Sequence, residues 1–196
     1  MPEKKQTEGR GAYEWVQALV CSVLTVVLIF TFAVRIVRVS GESMRETLQD
    51  QDMLVVLNNW LCGGYEQGDI VILQRDDFYG GEPIVKRVIA TEGQTVDIDF
   101  DAGVVYVDGT ALEEPYTREP TWTQEGTEFP LTVPEGSIFV MGDNRNHSSD
   151  SRDASLGTVD TRYVIGRAVI LAFPGADEST GKRDFGRIGL IGGVDA

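Results

Sequence analysis

A mainly β domain preceded by a single membrane-spanning helix is the architecture this 196-residue sequence predicts. One unbroken apolar run lies near the N-terminus, and seven short β-like runs follow it. Between them, 22 Gly and 7 Pro supply frequent turns. Composition of this kind favours many short strands over a helical bundle. The length suits one domain with appendages, or two small domains. A hydrophobic fraction of 42% can supply a core.

The helix comes first. Ala18 to Val34 is a 17-residue apolar run in which only Ser22, Thr25 and Thr31 are weakly polar. Trp15 and Val16 extend it, and Arg35 and Arg38 close it. That gives a span of about 20 residues, the length one transmembrane helix needs. Tyr13 and Trp15 stand where interfacial aromatic anchors belong. A cleaved signal peptide would have a shorter apolar region and a small-x-small site after it. Arg35-Ile36-Val37-Arg38 offers no such site, so the span is expected to be retained. Residues 14–36 are therefore read as the transmembrane helix and 1–13 as a cytoplasmic segment. Lys4, Lys5 and Arg10 set that orientation through the positive-inside rule. Residues 37 onward then lie outside the cytoplasm, anchored to the cell membrane.

Strands are expected near Met53–Leu57, Asp69–Gln74, Ile84–Ala90, Thr95–Phe100, Val104–Asp108, Ile138–Met141 and Val164–Ala172. Asp97-Ile98-Asp99-Phe100 alternates polar and apolar residues, the mark of a half-buried strand. Asp108-Gly109 is a tight-turn signal. Residues 111–136 are poor in aliphatics and rich in Glu, Thr and Pro, so they read as a loop or small insertion. The domain is placed at 37–175. The Gly-rich tail, 176–196, is expected to be poorly ordered.

Charge narrows the partners. The chain carries a net −14, and beyond residue 36 there are 28 acids against 13 bases. Such a surface repels nucleic acid and anionic lipid head groups. Contact with a lipid bilayer must then be apolar. Two cysteines far apart, Cys21 and Cys62, give no expectation of a disulfide. A single histidine argues against a His-rich metal site, and no cofactor is expected.

Three places carry candidate chemistry. Gly41-Glu42-Ser43-Met44-Arg45 superficially resembles a Gly-x-Ser-x-Gly nucleophile elbow, but Arg45 occupies the last glycine position. Taken alone, Ser43 reads as an ordinary turn serine. In Ile84-Val85-Lys86-Arg87-Val88-Ile89 a lysine interrupts an apolar run. On a strand, Lys86 shares a face with Ile84 and Val88, while Arg87 shares the other with Val85 and Ile89. Lys86 is then either an edge-strand guard against aggregation or a desolvated amine able to accept a proton from a serine. The third place is Gly142-Asp143-Asn144-Arg145-Asn146-His147-Ser148-Ser149-Asp150-Ser151-Arg152, directly after an apolar strand-like run. It reads as a solvated loop on composition alone, yet so many polar side chains are costly to order without partners. His147 is a candidate base with no obvious acid partner beyond Asp143 and Asp150.

Together these places resemble type I signal peptidases, in the form with one span and a compact external domain typical of Gram-positive bacteria. The resemblance covers residues about 10–172 and rests on Ser40-Gly41-Glu42-Ser43-Met44-Arg45-Glu46-Thr47-Leu48, Gly68-Asp69-Ile70-Val71, Val85-Lys86-Arg87-Val88 and the Gly142–Arg152 run. It implies coiled antiparallel sheets with a variable insertion near 97–135. It also implies a serine endopeptidase acting on signal-peptide-bearing preproteins. By the same resemblance Ser43 matches the nucleophile, Lys86 the general base and Ser148 the serine that orients the lysine. Asp143, Arg145, Asp150 and Arg152 match the scaffold of the site. Val39, Met44, Leu48, Ile84 and Val85 match the substrate pockets. Glu46 stands where the family usually has Pro, and His147 where it has Asn. Gly41 leaves no side-chain donor for the oxyanion at that position, so backbone N–H groups, including that of Ser43, must serve. Thr91-Glu92-Gly93 replaces a more usual Gly-x-Pro-Gly turn.

Two other readings remain at this point. One is a Ser-Lys self-cleaving protease of the repressor type, which would need a DNA-binding helix pair where this chain has a span. The other is a non-catalytic membrane-anchored β-domain, which would need neither the lysine in the apolar strand nor the coordinated loop.

Overall fold

The structure is a computed structural model that describes residues 4–177 and 180–192. It divides into two units, residues 1–35 and 36–196. In the first, helix α1 (Lys4–Leu28) runs into a π-helical turn at Ile29–Ala33. Gly11–Ala33 is long and apolar enough to cross a membrane, and none of its most apolar window is buried against protein. At about 1.5 Å per residue it reaches across the ~30 Å of a hydrocarbon core. Helical structure stops at Ala33, short of the expected residue 36, because Val34-Arg35-Ile36-Val37-Arg38 is extended. Three β-branched residues among the five, Val34, Ile36 and Val37, suit a strand better than a helix.

The strands are β1 (Val34–Arg38), β2 (Met53–Asn58), β3 (Ile70–Leu73), β4 (Ile84–Thr91), β5 (Thr95–Asp99), β6 (Val104–Val107), β7 (Thr110–Ala111), β8 (Leu131–Thr132), β9 (Ser137–Met141), β10 (Val159–Asp160), β11 (Val164–Phe173) and β12 (Gly189–Leu190). All seven expected strands are present within two residues of their predicted ends. One sheet has the order β1-β2-β11-β3-β4-β9-β10, with β12 also on β11. A second has the order β7-β6-β5-β8. Every strand pairing described is antiparallel. Bulges in β11 and β4 bend the larger sheet, as extra residues in one strand of a pair do.

Three apolar clusters follow from strand alternation. Ile70 and Ile72 of β3 join Met44, Leu48, Leu54 and Leu171 on one face of the larger sheet. Val71 and Leu73 join Val88, Val140 and Val164 on the other. Ile89, Phe139 and Met141 meet Val96, Ile98 and Val105 of the smaller sheet. The larger sheet is thus covered on both faces, which is why β3 reads as an uninterrupted apolar run.

The tail differs from the expectation of poor order. Among its described residues, Gly189–Leu190 form β12 against β11, with Ile170↔Leu190 and Leu171↔Gly189 in register. Arg187 pairs with the buried Asp52. The Gly-rich composition hid these few anchoring contacts.

Candidate active site

The loop 39–52 carries Ser43. Its base is closed by Val39 N–H to Asp52 O at 2.8 Å and Gln51 N–H to Val39 O at 3.0 Å. Thr47 and Leu48 N–H both donate to Met44 O, at 3.1 and 2.8 Å, so one tight turn follows the serine. That turn sinks Met44 and Leu48 into the core. Asn144 holds the serine's own peptide: its N–H donates to Ser43 O at 3.0 Å and its Nδ2 to Glu42 O at 3.1 Å. Gly142 lies against the same peptide. A Cβ there would stand 2.2 Å from Ser148 Oγ and 2.5 Å from Ser43 O, so only glycine permits the approach.

β4 brings in the lysine. It lies between β3 and β9 and is therefore not an edge strand, which removes the aggregation-guard reading. Lys86 and Arg87 point to opposite faces, and both are buried, 3% and 1% exposed. A buried cation must either be paired or lose its charge. Arg87 takes the first course. It makes a bidentate pair with Asp143, 2.8 Å on each arm, donates to Gly68 O at 3.0 Å, and lies 3.9 Å over the Tyr116 ring. Lys86 moves towards the second. Burial pushes its pKa down to about 8, against the opposing pull of Asp150.

The polar loop is an ordered, buried network. Asp150 Oδ2 accepts from Gly142 N–H at 2.9 Å, Ser148 Oγ at 2.8 Å and Arg152 Nη2 at 2.9 Å. Arg152 Nε reaches Oδ1 at 2.8 Å. Burial alone would raise the Asp150 pKa; the Arg152 guanidinium and the Gly142 N–H outweigh it and hold the carboxyl below its ordinary value. Arg152 also bonds the carbonyls of Thr123, Arg145 and Ser148. Arg145 pairs with both oxygens of Glu114 and bonds Thr121 Oγ1 at 3.0 Å. Because Ser148 gives its hydroxyl hydrogen to Asp150, its oxygen lone pairs are left to accept from another donor.

A groove of about 700 Å³ joins these pieces; Ser43, Lys86 and Ser148 all line it. Residues 12–173 match the family model for signal peptidase, peptidase S26. The chain belongs to this family. A signal peptidase I from Bacillus licheniformis is 37% identical over 89% of this chain and 96% of its own length. Signal peptidase I T from Bacillus subtilis (strain 168) is 35% identical over 88% of this chain and 91% of its own. A solved signal peptidase I from Enterococcus faecalis V583 is 34% identical, covers 53% of this chain and 96% of its own, and has a TM-score of 0.43.

In this signal peptidase family member Val39, Met44, Ile84 and Val85 line the groove. Leu48 does not. It is fully buried in the core beneath the loop, and Ile72 takes part in the wall instead. A helical turn puts Met44 and Leu48 on one side, and there is groove for only the first. Asp143, Arg145, Asp150 and Arg152 stand behind the wall, buried, not on it. His147 lines the groove but is exposed. The sequence reading passed over Asn144, Thr47, Glu114, Tyr116 and Glu125. Asn144 lay within the quoted run, and its pairing with Ser43 is a contact across 101 residues. Glu114, Tyr116 and Glu125 sit in the segment dismissed as an insertion. Glu125 lines the groove with one buried oxygen that no described group satisfies, and burial raises its pKa.

Proposed function

We propose that this chain is a membrane-bound serine endopeptidase that removes N-terminal signal peptides from exported preproteins, with Ser43 as nucleophile and Lys86 as general base. The observation that carries the proposal is that one groove is lined by a serine on a braced loop and a lysine whose amine burial has made easy to deprotonate. Ser43 Oγ attacks the scissile carbonyl carbon while neutral Lys86 takes its proton. The developing oxyanion is met by backbone N–H groups, that of Ser43 among them. Lys86 then returns the proton to the departing amine, leaving an ester on Ser43. A water, giving its proton to Lys86, attacks that ester, and as the tetrahedral intermediate collapses Lys86 passes the proton to Ser43 Oγ, freeing the serine. Histidine needs an acid partner to be oriented as a base; lysine needs only desolvation to be neutral.

Ser148 orients the amine. Its hydroxyl donates to Asp150 at 2.8 Å, which leaves its oxygen lone pairs to accept from the Lys86 amine. Asp150–Arg152 and Asp143–Arg87 hold the walls in place from behind. The apolar wall of Val39, Met44, Ile84 and Val85 suits small apolar substrate side chains at the first and third positions before the cut. The N-terminal helix anchors the chain in the cell membrane with residues 1–13 in the cytoplasm, so the groove works where preproteins emerge. Basic residues Lys4, Lys5 and Arg10 before the span support that orientation. The test is cleavage of a signal-peptide-bearing preprotein by the detergent-solubilised full chain. Ser43→Ala and Lys86→Ala are each expected to abolish processing while the chain stays folded. Robust cleavage by Lys86→Ala would overturn the dyad and turn attention to His147.

A further inference from the structure

The family match ends at Phe173, but the chain beyond it reaches back to the nucleophile loop. Gly175 passes so close that an added Cβ would lie 2.0 Å from Asp50 O. Its N–H donates to Asp52 Oδ1 at 2.6 Å. Farther along, Arg187 donates from Nη1 to Asp52 Oδ1 at 3.1 Å and from Nη2 to Asp52 Oδ2 at 2.7 Å. The same Nη2 also donates to Thr47 O at 3.1 Å. Ile191 N–H bonds Val169 O at 3.0 Å, and its side chain packs on the cluster that contains Met44 and Leu48.

These contacts fall on a sensitive place. Asp52 is fully buried, and Arg187 is the cation paired with it. A buried carboxylate left with backbone N–H groups alone is poorly compensated. Thr47 is a junction. Its carbonyl is held by Arg187, its hydroxyl donates to Asp143 Oδ2, and its N–H bonds Met44 O, the residue after Ser43. Asp143 in turn pairs with Arg87, the neighbour of Lys86. The loop that carries the serine is therefore gripped from one side by the scaffold of the lysine strand and from the other by the tail. A planar guanidinium can serve Asp52 with two parallel bonds and still reach a carbonyl, which an ammonium cannot do in the same geometry.

We propose that Arg187 is a positioning residue, and that the chain after Phe173, through Gly175, Arg187 and Ile191, clamps loop 39–52 so that Ser43 is held at the distance and angle its attack requires. The inference rests on the proposed role of Ser43. A clamp that only added stability would change the unfolding midpoint and leave the turnover of folded enzyme alone. A positioning clamp changes turnover itself, because small misplacements of a nucleophile are costly.

The experiment uses the full chain in detergent and a peptide spanning a signal-peptide cut site, at a temperature well below the unfolding midpoint of every variant. Arg187→Ala is expected to lower kcat per folded molecule roughly 10- to 100-fold, more than it changes KM. Arg187→Lys, which restores the charge to Asp52 but not the fork that also holds Thr47 O, is expected to recover only part of that loss. In the same preparations, amide exchange of residues 44–52 is expected to quicken in Arg187→Ala and to return towards the native rate in Arg187→Lys. Should Arg187→Ala fail to fold, Arg187→Gln carries the same expectations. Native kcat per folded molecule together with native exchange in that loop overturns the clamp; quickened exchange with native kcat overturns the positioning role. Failure of the unaltered chain to cleave, or cleavage by Ser43→Ala, overturns the proposed function instead, and the exchange rates still decide whether the tail clamps the loop.

Discussion

Glu46 occupies a backbone position that its family relatives' usual proline cannot share. Its φ is 93°, in the left-handed region that costs most side chains energy. Proline is locked near −65°. Proline cannot take the φ that residue 46 has here, so the change Glu46→Pro should harm this chain. We expect a loss of processing of at least ~10-fold with a lowered unfolding midpoint, as forcing an incompatible φ requires. Glu46→Gly, free of that strain, should be neutral or slightly stabilising; the opposite ranking in a preprotein cleavage assay would contradict this view of the turn. His147 is a second departure from the family pattern. It is exposed, and Ser148 beside it is buried. His147→Asn should keep nearly full activity. A loss comparable to that of Ser43→Ala would show the imidazole to be catalytic. At this scale Ser43, Lys86 and Ser148 were legible in the sequence only as members of a pattern. None of them announces a role by its own type, since a turn serine and a strand lysine are ordinary residues.

At the scale of elements, β4 shows how one strand carries two buried cations by two different means. The charge of Arg87 is met by Asp143; both are essentially without solvent. Breaking such a pair strands the surviving charge at a cost of about 3–5 kcal/mol. Asp143→Ala should therefore lower the free energy of unfolding by about that amount, read from denaturant midpoints of the full chain. A change under ~1 kcal/mol would mean that water reaches Arg87, contrary to its burial. The strand itself was legible: Ile84–Ala90 was expected and Ile84–Thr91 is found. What the sequence could not say was whether β4 is central or at an edge. That depends on β9, which follows more than 45 residues later. The short strands β7, β8, β10 and β12 were missed for a related reason, because two residues carry no period. The polar loop after β9 was recognised as costly to order, and the structure shows what makes it affordable. Asp150, Arg152, Gly142 and Ser148 satisfy one another, while Thr123 and Glu114 from the supposed insertion complete the set.

On the scale of the whole molecule, the chain consists of an apolar helix and a β domain whose groove lies where three distant segments meet. The span was legible from composition because hydrocarbon demands a long apolar run; its end at Ala33 was not, since Val34, Ile36 and Val37 continue the apolar pattern around Arg35. The role of the tail was illegible because Arg187 acts through contacts with Asp52 and Thr47 across 135 and 140 residues. The central claim is that burial, acting through the whole fold around β4, makes Lys86 a base near neutral pH. Its pKa is lowered from 10.5 to about 8, with desolvation the largest cause. Lysine is a base only when deprotonated, so activity must rise as pH climbs through that value and not fall. The decisive measurement is the pH dependence of kcat/KM for the full chain on a signal-peptide substrate. We expect a rising limb with an apparent pKa near 8, against about 10.4 for an unburied lysine. A flat profile from about pH 5 to 9, or a maximum below about pH 6 where histidine and carboxylates titrate, would contradict the account.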